Sequence, residues 1–267
     1  MKLNTDNLKR IVIKVGTATL TYDTGLINIR RIEELVKCIS DLQNRGIQVI
    51  LVSSGAISCG LAKIGFTSRN GLTTEQKQAA AAVGQLVLID MYEKLFSGYG
   101  HKVAQILLTK DVIENELGCN NAKNTFKVLL NMSCIPIVNE NDTVSSEQIS
   151  IGSNDTLSAI VAVLTKADLL INMSDIDGLY SENPRNNPDA VFIEYVGTID
   201  EAVKAYAGGA GTERGTGGMI AKIEAAKTVN DAGIPMLIVN GYRPKILYDI
   251  FESEFKGTYF AAIGDKT

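Results

Sequence analysis

The sequence has few of the side chains that usually bind transition metals or build disulfide frameworks. It contains one histidine and four cysteines, and Cys38, Cys59, Cys119 and Cys134 are too scattered to form a Cys-x-x-Cys pair. This spacing argues against a zinc site and is typical of reduced thiols in a cytoplasmic protein. The one histidine, His101, lies in a Gly-His-Lys junction, where we expect a structural or exposed side chain and assign no catalytic role.

Long apolar runs and an excess of basic charge are also missing. No run approaches the roughly 20 residues that a membrane-spanning helix needs. The segment from Met1 to Arg10 is polar and has no apolar signal-peptide core. The net charge is −4, whereas nucleic acids and anionic membranes favour basic surfaces. We therefore expect a soluble cytoplasmic protein that binds neither nucleic acid nor membrane.

What the sequence does contain is a regular alternation of apolar strands and amphipathic helices. The predicted strands are Ile11–Ile13, Val49–Val52, Val103–Leu108, Ile135–Val138, Leu169–Met173 and Met236–Val239, and the predicted helices cover about 29–42, 73–96, 125–130, 155–164 and 217–231. Continuously apolar strands are typical of a mostly parallel sheet that helices cover on both faces. The 267 residues contain no linker, repeat or low-complexity segment long enough to divide them. We predict a single domain, a three-layer αβα sandwich with a mostly parallel central sheet.

Polar side chains gather where these predicted strands end. The run Asn139-Glu140-Asn141-Asp142 follows a strand, and Gly152-Ser153-Asn154-Asp155 opens a helix. Strand ends and helix starts in α/β proteins collect ligands, because backbone N–H groups are unpaired there and the helix dipole favours anions. Two clusters of acid and amide therefore predict a pocket for a small polar molecule.

Other junctions of the same kind carry lysine, hydroxyl groups and glycine. Lys14 follows the first strand, Ser53-Ser54-Gly55 the second, and Ser174-Asp175 the fifth. The glycine-rich segment from Gly211 to Lys222 leads into a helix and could bind phosphate, although it matches neither GxxxxGK[ST] nor GxGxxG. Each block alone could be a turn, a helix cap or a solvated lysine. Together they should lie at one edge of the sheet.

In their order along the chain, these blocks resemble the signature blocks of the amino acid kinase family. The resemblance rests on Lys14-Val15-Gly16-Thr17, Val52–Ile57, Asn139–Val144, Gly152–Asp155, Ser174–Tyr180, Gly215–Met219 and the run Ala79–Gln85. The segment 138–144 and the Ser54 block are similar to the members that phosphorylate glutamate, whereas the glycine loop is shared more widely. The resemblance implies an acceptor half at about 1–165 and a nucleotide half at about 166–267. The chain ends at Thr267, so we expect the C-terminal PUA domain of many members to be absent.

The resemblance also implies roles for individual residues. Ser54, Asp142 and Asn154 would bind the amino acid, with Asp142 suited to the ammonium group and the other two to the α-carboxylate. Lys14 and Lys222 would neutralise charge during transfer, and Asp155 would hold both lysines. The implied ATP-binding residues are Lys14, Ser174, Asp175, Thr216, Gly217, Gly218, Met219, Ile220, Ala221 and Lys222.

The implied reaction transfers the γ-phosphoryl group of ATP to the side-chain carboxylate of L-glutamate, the first step of proline biosynthesis. A carboxylate with a pKa of about 4.3 is ionised at neutral pH, so the reaction needs no general base and depends on cations around the transferred group. We expect Mg²⁺ to be bound mainly by ATP oxygens, with no metal site on the protein side chains. The resemblance further implies feedback inhibition by proline and a homo-oligomer, either a dimer or a tetramer.

Two alternatives stay open at this point. Another member of the family would act on N-acetylglutamate, aspartate, carbamate or UMP, and a non-catalytic nucleotide sensor would keep the pocket without the transfer. A phosphate-bearing acceptor calls for extra arginine or lysine near its site, and the segments 53–60 and 139–155 contain none. The presence of Lys14, Lys222 and Asp155 argues against a sensor.

Overall fold

A central β-sheet organises the chain, of which the computed structural model describes residues 1–66, 71–145, 150–206 and 218–264. The strands are β1 (Arg10–Val15), β2 (Gln48–Ser53), β3 (Lys102–Leu108), β4 (Cys134–Glu140), β5 (Leu169–Ser174), β6 (Leu179–Tyr180), β7 (Phe192–Ile193), β8 (Tyr195–Val196), β9 (Met236–Asn240) and β10 (Gly257–Phe260). The helices are α1 (Thr17–Leu20), α2 (Ile29–Asn44), α3 (Ala56–Lys63), α4 (Thr74–Gly98), α5 (Lys110–Glu114), α6 (Glu116–Asn131), α7 (Asn154–Thr165), α8 (Glu201–Ala205), α9 (Met219–Asp231) and α10 (Ile246–Glu252).

Eight of the strands form one sheet in the order β3-β4-β2-β1-β5-β9-β10-β8, and β6 pairs with β7 separately. Every pair from β3 to β9 is parallel, while β10 runs antiparallel to β9 and parallel to β8. The prediction of a mostly parallel sheet is therefore confirmed. Because parallel strands end at the same edge, the carboxyl ends of β1, β2, β4 and β5 lie side by side there.

Helices bury both faces of this sheet, as a three-layer sandwich requires. Alternate side chains of a strand point to opposite faces, and Ile11 and Ile13 of β1 pack in one core while Val12 packs in the other. Residues of α2, α4 and α10 contribute to the first core, and residues of α6, α7 and α9 contribute to the second. Lys14 shares a strand face with Val12, so its side chain points toward the layer that holds α7 and α9.

Helices α3 and α4 cross with almost no space between their backbones. A Cβ atom at Gly60 would lie 1.8 Å from the carbonyl oxygen of Ala80, and one at Gly84 would lie 1.8 Å from that of Ala56. Only glycine fits at both positions. This contact fixes α4 against α3, the helix that follows β2, and it sets the position of Gln85, the residue after Gly84.

The sequence located most of these elements, with some errors at their boundaries. The predicted start of α4 is confirmed by a reciprocal capping box, in which Thr73 and Gln76 each accept a hydrogen bond from the other's backbone N–H. The helix predicted at 125–130 is too short, because α6 begins at Glu116 after an Asn115 cap. Met236–Val239 is not the last strand, since the four residues of β10 follow it. The sequence of β10, Gly-Thr-Tyr-Phe, is not a continuous apolar run like those of the predicted strands.

Within the described ranges, no helix combines the length and apolar character needed to cross a bilayer. All four cysteines are free thiols, and Cys38, Cys59 and Cys134 are buried. Burial raises the pKa of Cys38 and of Cys59 to about 11, so both are protonated at neutral pH.

Candidate active site

One carboxylate connects two lysines that come from distant parts of the chain. Asp155 Oδ1 lies 2.6 Å from Lys14 Nζ, and Asp155 Oδ2 lies 3.1 Å from Lys222 Nζ. Asn172 Nδ2 donates a further hydrogen bond to Asp155 Oδ1 at 2.7 Å. We call Lys14, Asp155 and Lys222 the lysine end of the site. The structure brings together the three side chains that the sequence analysis grouped, and their roles in catalysis stay predictions.

The sheet and two helix starts explain why these side chains meet. Lys14 on β1 is paired in register with Asn172 on the neighbouring parallel strand β5, so both side chains point to the same face. Asp155 lies in the first turn of α7, and Lys222 lies in the first turn of α9. Both helices pack on that face, and an aspartate in a first turn also interacts favourably with the helix dipole.

Burial makes the lysine end an electrostatically strong site. Lys14, Asp155 and Lys222 are each less than one-tenth exposed. Burial alone would raise the pKa of Asp155, but the charges of Lys14 and Lys222 and the hydrogen bonds lower it to about 2. Burial lowers the pKa of Lys14 below its ordinary value of 10.5, and the charge of Asp155 opposes that effect only in part. Asp155 is therefore a carboxylate that both lysines contact, and two lysine side chains beside one cavity can stabilise a phosphoryl group.

A second group of side chains is built from neutral amide and hydroxyl groups. Asn154 Nδ2 donates to Ser54 Oγ at 2.8 Å and to Asn139 Oδ1 at 3.0 Å. Asn139 Nδ2 in turn donates to Gln85 Oε1 at 3.0 Å. Asn139 and Gln85 are less than one-tenth exposed. This arrangement places Ser54 from the end of β2 beside Asn154 at the start of α7.

Two carboxylates lie beside these amides. Glu140, the last residue of β4, accepts hydrogen bonds at Oε1 from Ser145 Oγ at 2.8 Å and from the backbone N–H of Ile151 at 2.9 Å. Ser145 lies shortly after Asp142 and Ile151 lies shortly before α7, so Glu140 contacts residues near two other members of this group. We call Ser54, Asn139, Glu140, Asp142 and Asn154 the amide end of the site.

A cavity of about 260 Å³ joins the two ends. Its lining includes Lys14, Asp155 and Lys222 at the lysine end and Ser54, Asn139, Glu140, Asp142 and Asn154 at the amide end. Among the described lining residues, Lys14 and Lys222 are the only basic side chains. The amide end therefore offers hydrogen bonds and negative charge, whereas both basic side chains among the described lining residues belong to the lysine end.

Ser174 and Asp175 line the cavity beside the lysine end. Ser174 Oγ donates to Asp175 Oδ1 at 3.2 Å, and Arg185 forms an ion pair with Asp175 Oδ2 at 2.8 Å and also donates to its carbonyl oxygen. Burial would raise the pKa of Asp175, but the hydrogen bond and charge of Arg185 keep it below the ordinary value. Asp175 is thus ionised and held in one orientation.

The rest of the expected nucleotide loop is only partly described. Thr216 and Gly217 lie outside the described residues. Gly218 is the N-cap of α9, and Met219, Ile220 and Ala221 form its first turn with Lys222. Of these described residues, Lys222 alone lines the cavity, so the roles expected for the others stay predictions.

Sequence reasoning had assigned no role to Gln85, Glu140 or Asn172, which support the residues it did name. Gln85 belongs to a block that resembles the family, and Glu140 lies inside the acidic run at the end of β4. The block resemblance was the available signal for Gln85. Asn172 interrupts an otherwise apolar strand, and this one polar residue was the only sequence signal of a special role.

Comparisons with known proteins confirm the resemblance seen in the motifs. A glutamate 5-kinase of Clostridium tetani is 54% identical over 257 residues, which is 96% of each chain. One from Enterococcus faecalis is 46% identical over the full length of both chains. The solved UMP kinase of Ureaplasma parvum superposes with a TM-score of 0.66 at 18% identity, over 96% of this chain and 99% of that one. An isopentenyl phosphate kinase of T. acidophilum gives a TM-score of 0.64 at 17% identity, over 94% of this chain and all of the other. These two structures share the fold. The family model of the amino acid kinases matches residues 9–240, and this chain belongs to that family.

Proposed function

We propose that the protein transfers the γ-phosphoryl group of ATP to the side-chain carboxylate of L-glutamate. A carboxylate oxygen attacks the γ-phosphorus, the bond to the β-phosphate oxygen breaks, and L-glutamyl 5-phosphate and ADP result. This is the first step of proline biosynthesis. The observation that carries the proposal is that one cavity joins a lysine end with two basic side chains to an amide end without basic side chains among its described residues. The glutamate 5-kinases at 46–54% identity support it.

The lysine end suits the transfer step. Lys14 and Lys222 are held on different oxygens of Asp155, so both ammonium groups are positioned before the substrates arrive. Preorganised donors of this kind stabilise the charge of a migrating phosphoryl group without reorganisation during the reaction. The attacking carboxylate is already ionised, so no side chain has to remove a proton. In this proposal Lys14, Lys222 and Asp155 are the catalytic residues.

The amide end suits an amino acid that carries a free ammonium group. Asp142 and Glu140 supply negative charge, and Ser54 and Asn154 supply hydrogen bonds. A phosphorylated acceptor would place its phosphate among these groups with no described cation to pair with it. UMP kinase and isopentenyl phosphate kinase, as their names state, act on such acceptors. The contrast favours glutamate, with Ser54, Asp142 and Asn154 as its binding residues.

The nucleotide is placed at the lysine end. We assign ATP to Lys14, Ser174, Asp175 and the segment from Thr216 to Lys222, so most of the nucleotide site comes from about 166–267 and most of the acceptor site from about 1–165. Both oxygens of Asp155 bind lysines, and Asp175 pairs with Arg185. These carboxylates do not fit as Mg²⁺ ligands. Mg²⁺ is therefore assigned to the phosphate oxygens of ATP, an arrangement this ion often adopts.

An assay of ADP release with four acceptors tests the proposal. We expect the highest kcat/KM with L-glutamate, compared side by side with N-acetylglutamate, aspartate and UMP. Hydroxylamine should trap the acyl phosphate as a hydroxamate, which identifies the carboxylate as the acceptor. A higher kcat/KM with another acceptor would contradict the choice of substrate. ATP binding without turnover of any acceptor would favour a nucleotide sensor.

Three further properties extend the proposal from the family resemblance. Proline carries the same α-carboxylate and an ammonium group, so we assign its inhibitory site to the amide end. We also propose a homo-oligomer, a dimer or tetramer, and a cytoplasmic location. Competition of proline with glutamate in steady-state kinetics, and the mass measured by light scattering, test the first two.

A further inference from the structure

A chain of hydrogen bonds leads from helix α4 to the amide end. It runs from Gln85 Oε1 through Asn139 Nδ2 and Oδ1 to Asn154 Nδ2, and from there to Ser54 Oγ. Gln85 is 9% exposed and Asn139 is 3% exposed, so solvent cannot readily replace either partner. Gln85 does not line the cavity, yet its side chain is the far end of this chain of amides.

The direction of the chain decides what is left for a ligand. A side-chain amide has two N–H donors and one acceptor oxygen. Asn154 directs both N–H groups to protein acceptors, at Ser54 Oγ and Asn139 Oδ1. It can therefore offer a ligand only its oxygen. Ser54 Oγ already accepts from Asn154, so its hydroxyl proton can be donated to a ligand.

We propose that Gln85 is a positioning residue whose side-chain oxygen holds the Asn139 amide in this direction, which makes Asn154 an acceptor for the substrate ammonium and Ser54 a donor to its α-carboxylate. The inference rests on the proposed function and differs from the expectation that Asn154 donates to the carboxylate. Asn154 Oδ1 and Asp142 then form two acceptors for one ammonium group. An N-acetylated acceptor has only one N–H and no positive charge, so this pair selects for the free amine.

The opposite direction makes the opposite prediction about Gln85. If the chain ran the other way, Gln85 Nε2 would donate to Asn139 Oδ1, and Asn154 would present its N–H groups to the ligand. In the proposed direction Gln85 needs only an acceptor oxygen, whereas in the reversed direction it needs a donor. Glutamate at position 85 supplies acceptors, and methionine supplies neither group at a similar length.

Steady-state kinetics on Gln85→Glu and Gln85→Met separate these cases. We expect Gln85→Met to raise KM for glutamate about tenfold, because the amides lose their fixed orientation. Its kcat and its KM for ATP should change less than about twofold. Gln85→Glu should keep KM for glutamate within about threefold of the unmodified protein. Discrimination between glutamate and N-acetylglutamate should fall in Gln85→Met and persist in Gln85→Glu.

The order of the two variants is the decisive result. Lys77→Met changes an exposed residue of the same helix and serves as the matched control. A larger KM increase in Gln85→Glu than in Gln85→Met would overturn the proposal, as would equal increases in both. If Gln85→Met fails to fold, as its thermal unfolding will show, Gln85→Glu still decides through its KM for glutamate. The unmodified protein is assayed first, and absence of glutamate turnover there rejects the proposed function instead.

Discussion

The two ends of the cavity bind with different kinds of force. The lysine end uses three buried ions, two of them cations on one carboxylate, and Coulomb attraction at short range depends little on the exact angle. The amide end uses a directed series of amide and hydroxyl hydrogen bonds beside the carboxylates of Glu140 and Asp142, and a hydrogen bond weakens steeply when its angle is poor. The lysine end can therefore stabilise a migrating phosphoryl group, while the amide end can distinguish one acceptor from another. Variants at the lysine end should affect kcat, and variants at the amide end should affect KM for the acceptor.

The largest effect is expected for Lys222→Ala, which removes one cation from the lysine end. We expect kcat to fall about 10²–10³-fold, as for loss of one preorganised donor, with a smaller change in KM for glutamate. Lys14 still pairs with Asp155, so the fold should persist, and circular dichroism and thermal unfolding check it. Lys222→Arg keeps the charge and is the matched control. A Lys222→Ala variant with more than about a tenth of the original kcat would refute a role in the transition state.

Asp142→Ala makes the corresponding change at the amide end. Loss of a carboxylate that pairs with the substrate ammonium should raise KM for glutamate about 10–100-fold. KM for ATP should stay nearly the same, because Asp142 lies at the other end of the cavity. Initial rates with each substrate varied in turn measure both constants. Asp142→Asn, which keeps the size but not the charge, should be nearly as impaired. Equal losses of affinity for ATP and glutamate would contradict the division between the two ends.

The carboxyl-end rule of parallel sheets explains how much of this division the sequence could predict. Lys14, Ser54 and Asp142 all follow strands of one parallel sheet, so their meeting at one edge follows from the strand pattern alone. The pairing of both lysines with Asp155 came from the family resemblance, since no local pattern shows which carboxylate lies between them.

The support behind the amide end could not be predicted in this way. Gln85 lies 54 residues before Asn139, and its approach depends on the close crossing of α3 and α4 at Gly60 and Gly84. That crossing is a tertiary contact with no periodic signal. Glu140 was visible as part of an acidic run, but no local pattern indicates its contact with the N–H of Ile151, 11 residues further along the chain. A residue can therefore be noticed in the sequence while its role, which depends on such long-range contacts, cannot be predicted.

A pH profile examines the lysine end without mutation. Burial lowers the pKa of Lys14 below 10.5 in the protein without ligands, and only the charged form attracts phosphate. We therefore expect kcat/KM for ATP to fall on the alkaline side, beginning below the ordinary pKa of lysine, because this constant reports ionisations of the free enzyme. Lys14→Arg stays charged and should shift that fall to higher pH. If kcat/KM for ATP falls at the same alkaline pH in Lys14→Arg, the fall is caused by the titration of a group other than Lys14.

The acid side should behave differently, because the pKa of Asp155 is depressed to about 2 from 3.8. A group whose pKa is lower in the folded state stabilises the fold above its unfolded value, and that stabilisation is lost as the pH falls through the folded value. Thermal unfolding should therefore show a contribution from Asp155 that is complete above pH 3.8 and declines toward pH 2. The decline should be absent in Asp155→Asn. That variant also removes the carboxylate that contacts both buried lysines, so its stability at neutral pH should be lower.

The smallest effect is expected for Glu140→Gln, which removes one negative charge from the amide end and weakens two contacts of Glu140 within the protein. Glutamine keeps an acceptor oxygen for Ser145 Oγ and the N–H of Ile151 but loses the charge that strengthens both bonds. We expect KM for glutamate to rise about two- to fivefold, with kcat and KM for ATP nearly unchanged. Glu140→Ala removes both bonds and should raise KM for glutamate further. Ser145→Ala removes only one of the two bonds, so its increase in KM should be smaller than that of Glu140→Ala. If kcat falls by a larger factor than KM for glutamate rises, Glu140 contributes to the transfer step and not mainly to acceptor binding. The proposed division, with kcat set at the lysine end and acceptor KM set at the amide end, would then be wrong.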